Sequence, residues 1–497
     1  MVLWRSIPFA CILLPLAAAA PTSVLKGRGA RRAALGVLAV ETLLSLLFVP
    51  FMIRFDGSYT YMMGHFPAPW GNEIRAGAME AVAGLLFSLV MLLSAAAGAR
   101  RQDNQILPDR LNLYYVMILL LTSALMAQVY PHDLFTGYVF VEIMTLTGCS
   151  LIVSRSGGKT LVAGTRYMIM NLLGSGLFLL GVVLLYDLTG HLLMENIREK
   201  VEELAATGAY HLPLTVVVAL MFTGLSVKGA LFPFHTWVPD AYSSGTPSSA
   251  AILSSLVSKG YIFLLMKIMY RVIGPVVTAT TGMTDVLFVF GLCGTVLGSL
   301  AAIQQTDIRL MISYSSVAQI GYIYMGIGLS SDAGMVAAFF HIIAHSVCKS
   351  MLFFSADTLC ASSGNFAHFR DLRGAGLRSP LAGVAFTVGA LSMVGFPFLG
   401  GFVSKLNLAH AAIGVGGRRC ILALAALAVS SLLNTMYFLR TVTTLYRSGK
   451  ADAAPDKGGM GPLRKIALIC FIGLNLFLGL FSSGLFDTIR AGLQHFG

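Results

Sequence analysis

A chain of 497 residues that is 56% hydrophobic and only 11% charged, with mean hydropathy +0.79, is too poor in charge to solvate a surface of this size, since soluble domains carry roughly 25% charged residues. A soluble enzyme, a nucleic-acid binder and a disordered scaffold are excluded, which leaves an all-α polytopic membrane protein. The net charge of +12, from 34 Lys and Arg against 22 Asp and Glu, does not point to nucleic acid, because the basic residues cluster in short loops between apolar runs and so report topology.

A spanning helix needs about 20 mostly apolar residues. About fourteen runs supply them, near 7–25, 33–53, 77–98, 111–130, 133–153, 165–187, 212–232, 248–272, 284–303, 309–329, 333–356, 381–412, 420–440 and 465–486. Arg5, an apolar core and an Ala-rich stretch ending near Ala20 have the order of a signal peptide. The basic loop and second apolar run that follow at once favour a retained first helix.

With the N-terminus outside, 20 of the 34 Lys and Arg fall on the cytoplasmic side and 10 on the other. An excess of basic residues marks the cytoplasmic loops, so both termini are expected outside a prokaryotic inner (plasma) membrane. Residues 1–110 form an N-terminal three-helix segment, 111–272 and 284–440 two five-helix units, and 465–486 a closing helix. Odd-numbered units in tandem are inverted relative to each other in the membrane.

Ionisable residues inside the runs come next, in chain order. Glu41 and Glu80 are embedded acids of the N-terminal segment. For Glu80, in RAGAMEAVAG, a helix-packing contact competes with a functional role. Glu142 is an isolated carboxylate whose natural partner is Lys228, a pair worth about 4 kcal/mol at roughly 4 Å and an effective dielectric near 20. Lys228 meets Phe232-Pro233-Phe234-His235 and then Pro239-Asp240, residues that break a helix. Lys259 lies mid-run beside Ser254, Ser255 and Ser258, which are suited to hold water. Lys267, with Arg271 close behind at a helix end, is expected to snorkel to the interface.

In FHIIAHSVCKSMLFF, His341, His345 and Lys349 recur every four residues and share one helical face. A HxxxH pair can bind zinc, but no third ligand is near and the lysine opposes a cation. Satisfied core histidines are the bland alternative, and a proton relay is favoured because histidine and desolvated lysine both titrate near neutral pH. Gly395-Phe396-Pro397 and Gly400-Gly401 then break a second helix just before Lys405. Each unit thus has a broken fourth helix with a lysine. Broken helices in two related halves are a mark of transport pathways.

The seven cysteines, Cys11, Cys149, Cys293, Cys348, Cys360, Cys420 and Cys470, include no CxxC pair. No iron–sulfur, haem or zinc centre is expected. Any redox chemistry belongs to another subunit.

Four ordered stretches carry a family resemblance: LSVKGALFPFHTWVPDAYSSGTPSSAAILSSLVSKGYIFLL, QTDIRLMISYSSVAQIGYIYMGIGL, HIIAHSVCKSMLFF and LSMVGFPFLGGFVSK. Across about residues 70–450 the chain resembles the proton-conducting antiporter-like family. That family includes the large membrane subunits of respiratory complex I, the D subunit of Mrp-type Na+/H+ antiporters and matching subunits of energy-converting hydrogenases. By position, the resemblance makes Glu142 and Lys228 the glutamate–lysine pair, Lys259 the central lysine, His341 and His345 the mid-membrane linkers and Lys405 the terminal residue. A lysine at 405 is similar to the Mrp and hydrogenase types, where some complex I members carry glutamate.

Two departures stand out. Gln319 occupies the position of an axis histidine, which gives Lys349 part of the relay. The acid that usually follows the E-x-R element is missing from GNEIRAGAMEA, where Glu80 is the candidate substitute. The resemblance implies a proton-translocating subunit partnered by other membrane subunits, with or without a peripheral redox arm, that moves protons, with or without Na+, through two half-channels. A stand-alone secondary transporter and a structural subunit with an idle polar axis are the alternatives. The first would need substrate-recognition groups, and the runs offer only titratable ones.

Overall fold

The computed structural model describes residues 2–63, 66, 72–155, 157–448 and 460–496. In hydrocarbon every backbone N–H and C=O must be paired within the protein, which confines spanning segments to helices or closed barrels. The apolar runs accordingly appear as α1 (Ile7–Val24), α2 (Gly27–Phe55), α3 (Ala78–Gln105), α4 (Leu111–Val129), α5 (Leu134–Val153) and α6 (Gly158–Thr189). After a short helix α7 (Met194–Thr207) come α8 (His211–Lys228) and α9 (Val238–Ser244), then α10 (Pro247–Ile273). The second half holds α11 (Met283–Ile303), α12 (Ile308–Gly328), α13 (Asp332–Ala361), α14 (Pro380–Val394), α15 (Gly400–Val415), α16 (Gly417–Tyr446), α17 (Pro462–Leu480) and α18 (Ser483–Gln494).

Side-chain caps fix several starts. Asp133 accepts from Thr136 N at 2.6 Å, Asp307 from Arg309 N at 2.7 Å and Ser331 from Gly334 N at 3.1 Å, each satisfying donors that a helix leaves free at its N-terminus. The first helix is built into the bundle, with Ser123 of α4 donating to Ile12 O at 2.8 Å.

Burial sorts the helices by role. The apolar windows of α10 and α13 are 100% buried, whereas those of α2 and α17 are only 33% buried. Large apolar side chains such as Leu43, Leu172, Leu432 and Ile466 face outward, as a lipid-facing belt requires. The two helices with Lys259 and the histidine face are therefore the innermost of the molecule.

Three features lie outside the apolar runs. A two-stranded hairpin pairs β1 (Tyr59–Met62) with β2 (Glu73–Ala76), Tyr59 opposite Ala76. Helix α7 buries Met194, Ile197 and Val201 while most of its other residues stay exposed. The last run divides at 481–482, and α18 buries Phe486, Ile489 and Leu493. Within α10, residues 253–257 and 268–273 are wound as π-helix.

Candidate functional site: a buried polar axis

Both broken helices keep their freed backbone groups paired, as lipid demands. In the first break, Leu231 N donates to Ser226 O at 3.0 Å and Phe234 N to Leu231 O at 2.7 Å, while Trp237 Nε1 donates to Val227 O at 3.3 Å. In the second, Gly400 N donates to Asn475 Oδ1 at 3.2 Å and Gly401 N to Ser392 Oγ at 3.1 Å. A Cβ on Gly401 would lie 1.9 Å from Ser392 O, so the half-helices overlap in a way that only glycine permits.

A lysine stands at each break. Lys228 is the last residue of α8. Lys405 reaches back over the break and donates to Met393 O at 2.8 Å and Val394 O at 3.0 Å, the final carbonyls of α14. The Lys405 ammonium thus lies at the negative end of a half-helix, where a cation is favoured.

The expected Glu142–Lys228 ion pair is not formed. Lys228 Nζ instead donates to Thr145 Oγ1 at 2.6 Å, one turn along α5 from Glu142, and Glu142 Oε1 is buried without a hydrogen-bond partner among the described residues. Thr145 also lies 3.2 Å from the Tyr261 hydroxyl, which links the lysine to α10. Lys228 Nζ stands 5.3 Å over the Tyr261 ring, a cation–π distance.

Lys259 owes its place to the π-helical stretch ahead of it. Its Nζ folds back to Ser254 O at 2.5 Å and Ser258 Oγ at 3.1 Å. Ser254 Oγ lies 3.0 Å from Ser316 Oγ of α12, and the adjacent Ser315 accepts a hydrogen bond from Lys349, which also donates to Ile312 O at 3.0 Å. From α13, Ser346 donates to Ser255 O at 2.6 Å and Ser350 to Ser255 Oγ at 2.9 Å. Serines therefore join α10, α12 and α13 around the central lysines.

Towards the second break, the His345 and His341 rings stack with centroids 6.1 Å apart. His341 Nδ1 lies 2.5 Å from Ser404 Oγ. Tyr322 sits between His341, at 5.5 Å, and Lys405, whose Nζ is 5.3 Å from its centroid. Both nitrogens of His345, His341 Nε2, both polar atoms of Gln319 and the Tyr322 hydroxyl are buried without a hydrogen-bond partner among the described residues. Buried polar groups of this kind are commonly served by internal water.

All seven candidates thus fall along one interior stretch across α5, α8, α10, α13 and α15. Thr145, Ser315, Ser404 and Tyr322 were not among them.

Lys267 does not snorkel. It is fully buried, and its Nζ donates to Val129 O at 2.7 Å and Pro131 O at 2.9 Å, capping the end of α4. Glu80 and Arg271 form an ion pair with both side chains 1% exposed, and Arg271 Nε donates to Phe496 O at 2.6 Å. Glu80 is therefore a packing acid with a definite partner. Both carboxylate oxygens of Glu41 are buried without a hydrogen-bond partner among the described residues.

The profile of the family described as NADH:quinone oxidoreductase/Mrp antiporter, TM matches residues 131–472. NADH-quinone oxidoreductase subunit N of Desulforudis audaxviator is 34% identical over 398 residues, 79% of this chain and 76% of that protein. A Staphylococcus haemolyticus protein whose name describes an antiporter subunit, mnhD2, is 28% identical over 450 residues, covering 90% of this chain and 86% of its own. The fold matches a chain of the archaeal membrane-bound sulfane sulfur reductase with a TM-score of 0.88 at 24% identity, covering 99% and 98% of the two chains. It matches a chain of the Mrp complex from Dietzia sp. DQ12-45-1b at 0.86 and 23%, covering 99% and 97%. The chain belongs to the NADH:quinone oxidoreductase/Mrp antiporter transmembrane family, as an antiporter-like, multi-pass membrane subunit of the kind found in complex I and Mrp-type assemblies.

Proposed function

We propose that this chain translocates protons within a multisubunit ion-pumping complex, through two half-channels joined by the Glu142, Lys228, Lys259, His341, His345, Lys349 and Lys405 axis. The carrying observation is two runs of buried titratable and hydroxyl groups, one from Lys228 through Thr145 to Tyr261 and one from Lys259 through the serines, Lys349 and the histidines to Ser404. Burying lysines in a membrane interior is costly on any scale, and an idle scaffold gains nothing from four of them.

In this reading residues 111–272 and 284–440 are inverted units, each lending its broken helix to one half-channel. Driving is by partner redox chemistry or by Na+ exchange; the relatives named as an NADH-quinone oxidoreductase subunit and an antiporter subunit support a redox or an ion-exchange drive. Lys228 accepts a proton from one side and passes it to Lys259 by way of Thr145 and Tyr261. The histidine pair carries it on to Lys405 and the opposite face. Both termini lie outside, on the strength of the basic-loop count, and Cys labelling at the exposed Gln494 from the outer face alone is the expected result.

The deciding experiment is proton uptake by proteoliposomes holding the purified complex. Lys228→Ala abolishes coupled uptake while assembly persists. Normal pumping by that variant overturns the reading.

A further inference from the structure

A cavity of about 700 Å³ opens at one membrane face, where α3 and α13 end and α2, α14 and α17 begin. Among the described residues, its lining includes seven arginines and one lysine and no carboxylate. Among them, Arg28, Arg32 and Arg100 are exposed and make no hydrogen bond or ion pair among the described residues. Asp357 stands behind the wall and offsets part of this charge, 2.8 Å from Arg464 and 3.1 Å from Arg101.

Arg464 is 8% exposed. It donates through Nη1 to Asp357 and through Nε to Ala97 O at 2.8 Å, yet its Nη2 is buried with no acceptor among the described residues. Three helices start at the wall, and N-terminal backbone donors with the positive dipole end favour anions. An arginine fork matches phosphate oxygens two at a time.

A second, apolar groove adjoins this cavity. It runs between α1 and α2, is lined by residues including Leu14, Ala18, Leu25 and Val37, and shares Arg32 with the basic cavity. A phosphate site beside an apolar groove describes one ligand chemistry.

We propose that this site binds an anionic phospholipid, its phosphate among Arg28, Arg32, Arg100 and Arg464 and one acyl chain in the α1–α2 groove. Basic pockets between helix ends are a recognised way to hold acidic headgroups. The lipid ties the N-terminal helices to α17, two parts of the chain far apart in sequence.

Native mass spectrometry of the purified, delipidated complex, supplied with phosphatidylglycerol or phosphatidylcholine, tests this. Retention of phosphatidylglycerol over phosphatidylcholine is expected, falling by at least about tenfold in the Arg28→Gln/Arg32→Gln/Arg100→Gln variant, since each basic residue near the surface is worth about 1 kcal/mol. Gly36 lines the groove and a Cβ there meets nothing within 4 Å, so Gly36→Leu projects a side chain into the groove and is expected to lower retention too. Equal retention of both lipids, or unchanged retention in both variants, overturns the proposal. Displacement of the lipid by millimolar inorganic phosphate makes this a free-anion site and overturns the lipid assignment. A polypeptide of a neighbouring subunit cross-linked into the cavity does the same.

Discussion

Ser404 Oγ lies 2.5 Å from Nδ1 of His341, which fastens the second broken helix to the histidine face one residue away from Lys405. A single hydroxyl thereby fixes the orientation of a ring whose Nε2 has no other protein partner among the described residues. Ser404→Ala should slow proton uptake by between about twofold and tenfold, the equivalent of one hydrogen bond of 0.5–1.5 kcal/mol. Initial rates in proteoliposomes measure this, and Ser404→Thr, which keeps the hydroxyl, should recover most of the loss.

Lys405 is expected to tolerate an acid better than a stronger base. Arginine preserves the charge facing Met393 O and Val394 O and so keeps the break intact, but with a pKa above about 12 it does not readily release a proton. Lys405→Arg should assemble and block turnover, whereas Lys405→Glu should retain part of it. Full uptake by the arginine variant would leave Lys405 a structural cation.

At the other lysine, the hydrogen bond to Thr145 separates two roles. Lys228→Ala removes the carrier and should abolish coupled uptake. Thr145→Val removes only the acceptor at 2.6 Å and the link to Tyr261, and should lower the rate by about tenfold or less. Glu142→Gln should also be slowed, through the charge one turn away. Equal rates in Thr145→Val and the parent would show that Lys228 does not pass its proton through this hydroxyl.

The Glu80–Arg271 pair predicts an asymmetry in stability. With both side chains 1% exposed, Glu80→Gln strands a buried guanidinium and should destabilise by about 3–5 kcal/mol. Glu80→Gln combined with Arg271→Met should cost less than either change alone, because no charge is left unpaired. Thermal unfolding of the detergent-purified complex reports both.

His132, between α4 and α5, supplies a pH dependence. Burial, helped by the charges of Arg271, Arg75 and Lys267, pushes it down to about 3. Glu195 approaches to 3.5 Å but is 62% exposed, so solvent screens its opposing effect. The native imidazole is therefore neutral at pH 5, while the unfolded chain takes up a proton below about 6.5. Stability should fall as the pH drops from about 6.5 towards 3, by up to about 1.4 kcal/mol per unit. His132→Gln should flatten that part of the melting-temperature profile.

Much of this molecule is legible in its sequence because lipid imposes severe rules. Runs of about 20 apolar residues have few alternatives to spanning helices, and a lysine inside one, as at 228, 259, 349 and 405, stands out against its background. Proline and glycine announced both breaks. Less visible were partners that carry no charge. Thr145 is an unremarkable residue of an apolar helix, and nothing in sequence aims it at Lys228. Lys267 reads identically whether it snorkels or caps α4, since the carbonyls of Val129 and Pro131 come from far along the chain. The Glu80–Arg271 pair spans 191 positions. Helix α7 and the hairpin escaped for another reason: they lie at the membrane surface, where apolar length gives no signal.

The winding of α10 makes the interior sensitive to counting. A π-helical stretch at 253–257 holds one residue more than the α-helical turn it replaces, and each residue advances the helix by roughly 100°. Upstream of it, Ser248 and Ser249 are oriented towards Ser94 O and Leu151 O. Downstream, Lys259 folds its Nζ back to Ser254 O and Ser258 Oγ. Removing any one residue between 253 and 257 would leave the composition of the helix almost unchanged yet swing Lys259 through roughly 100° relative to Ser248, out of alignment with its neighbours. The azimuth of the central lysine is thus set by the number of residues before it as firmly as by their identity.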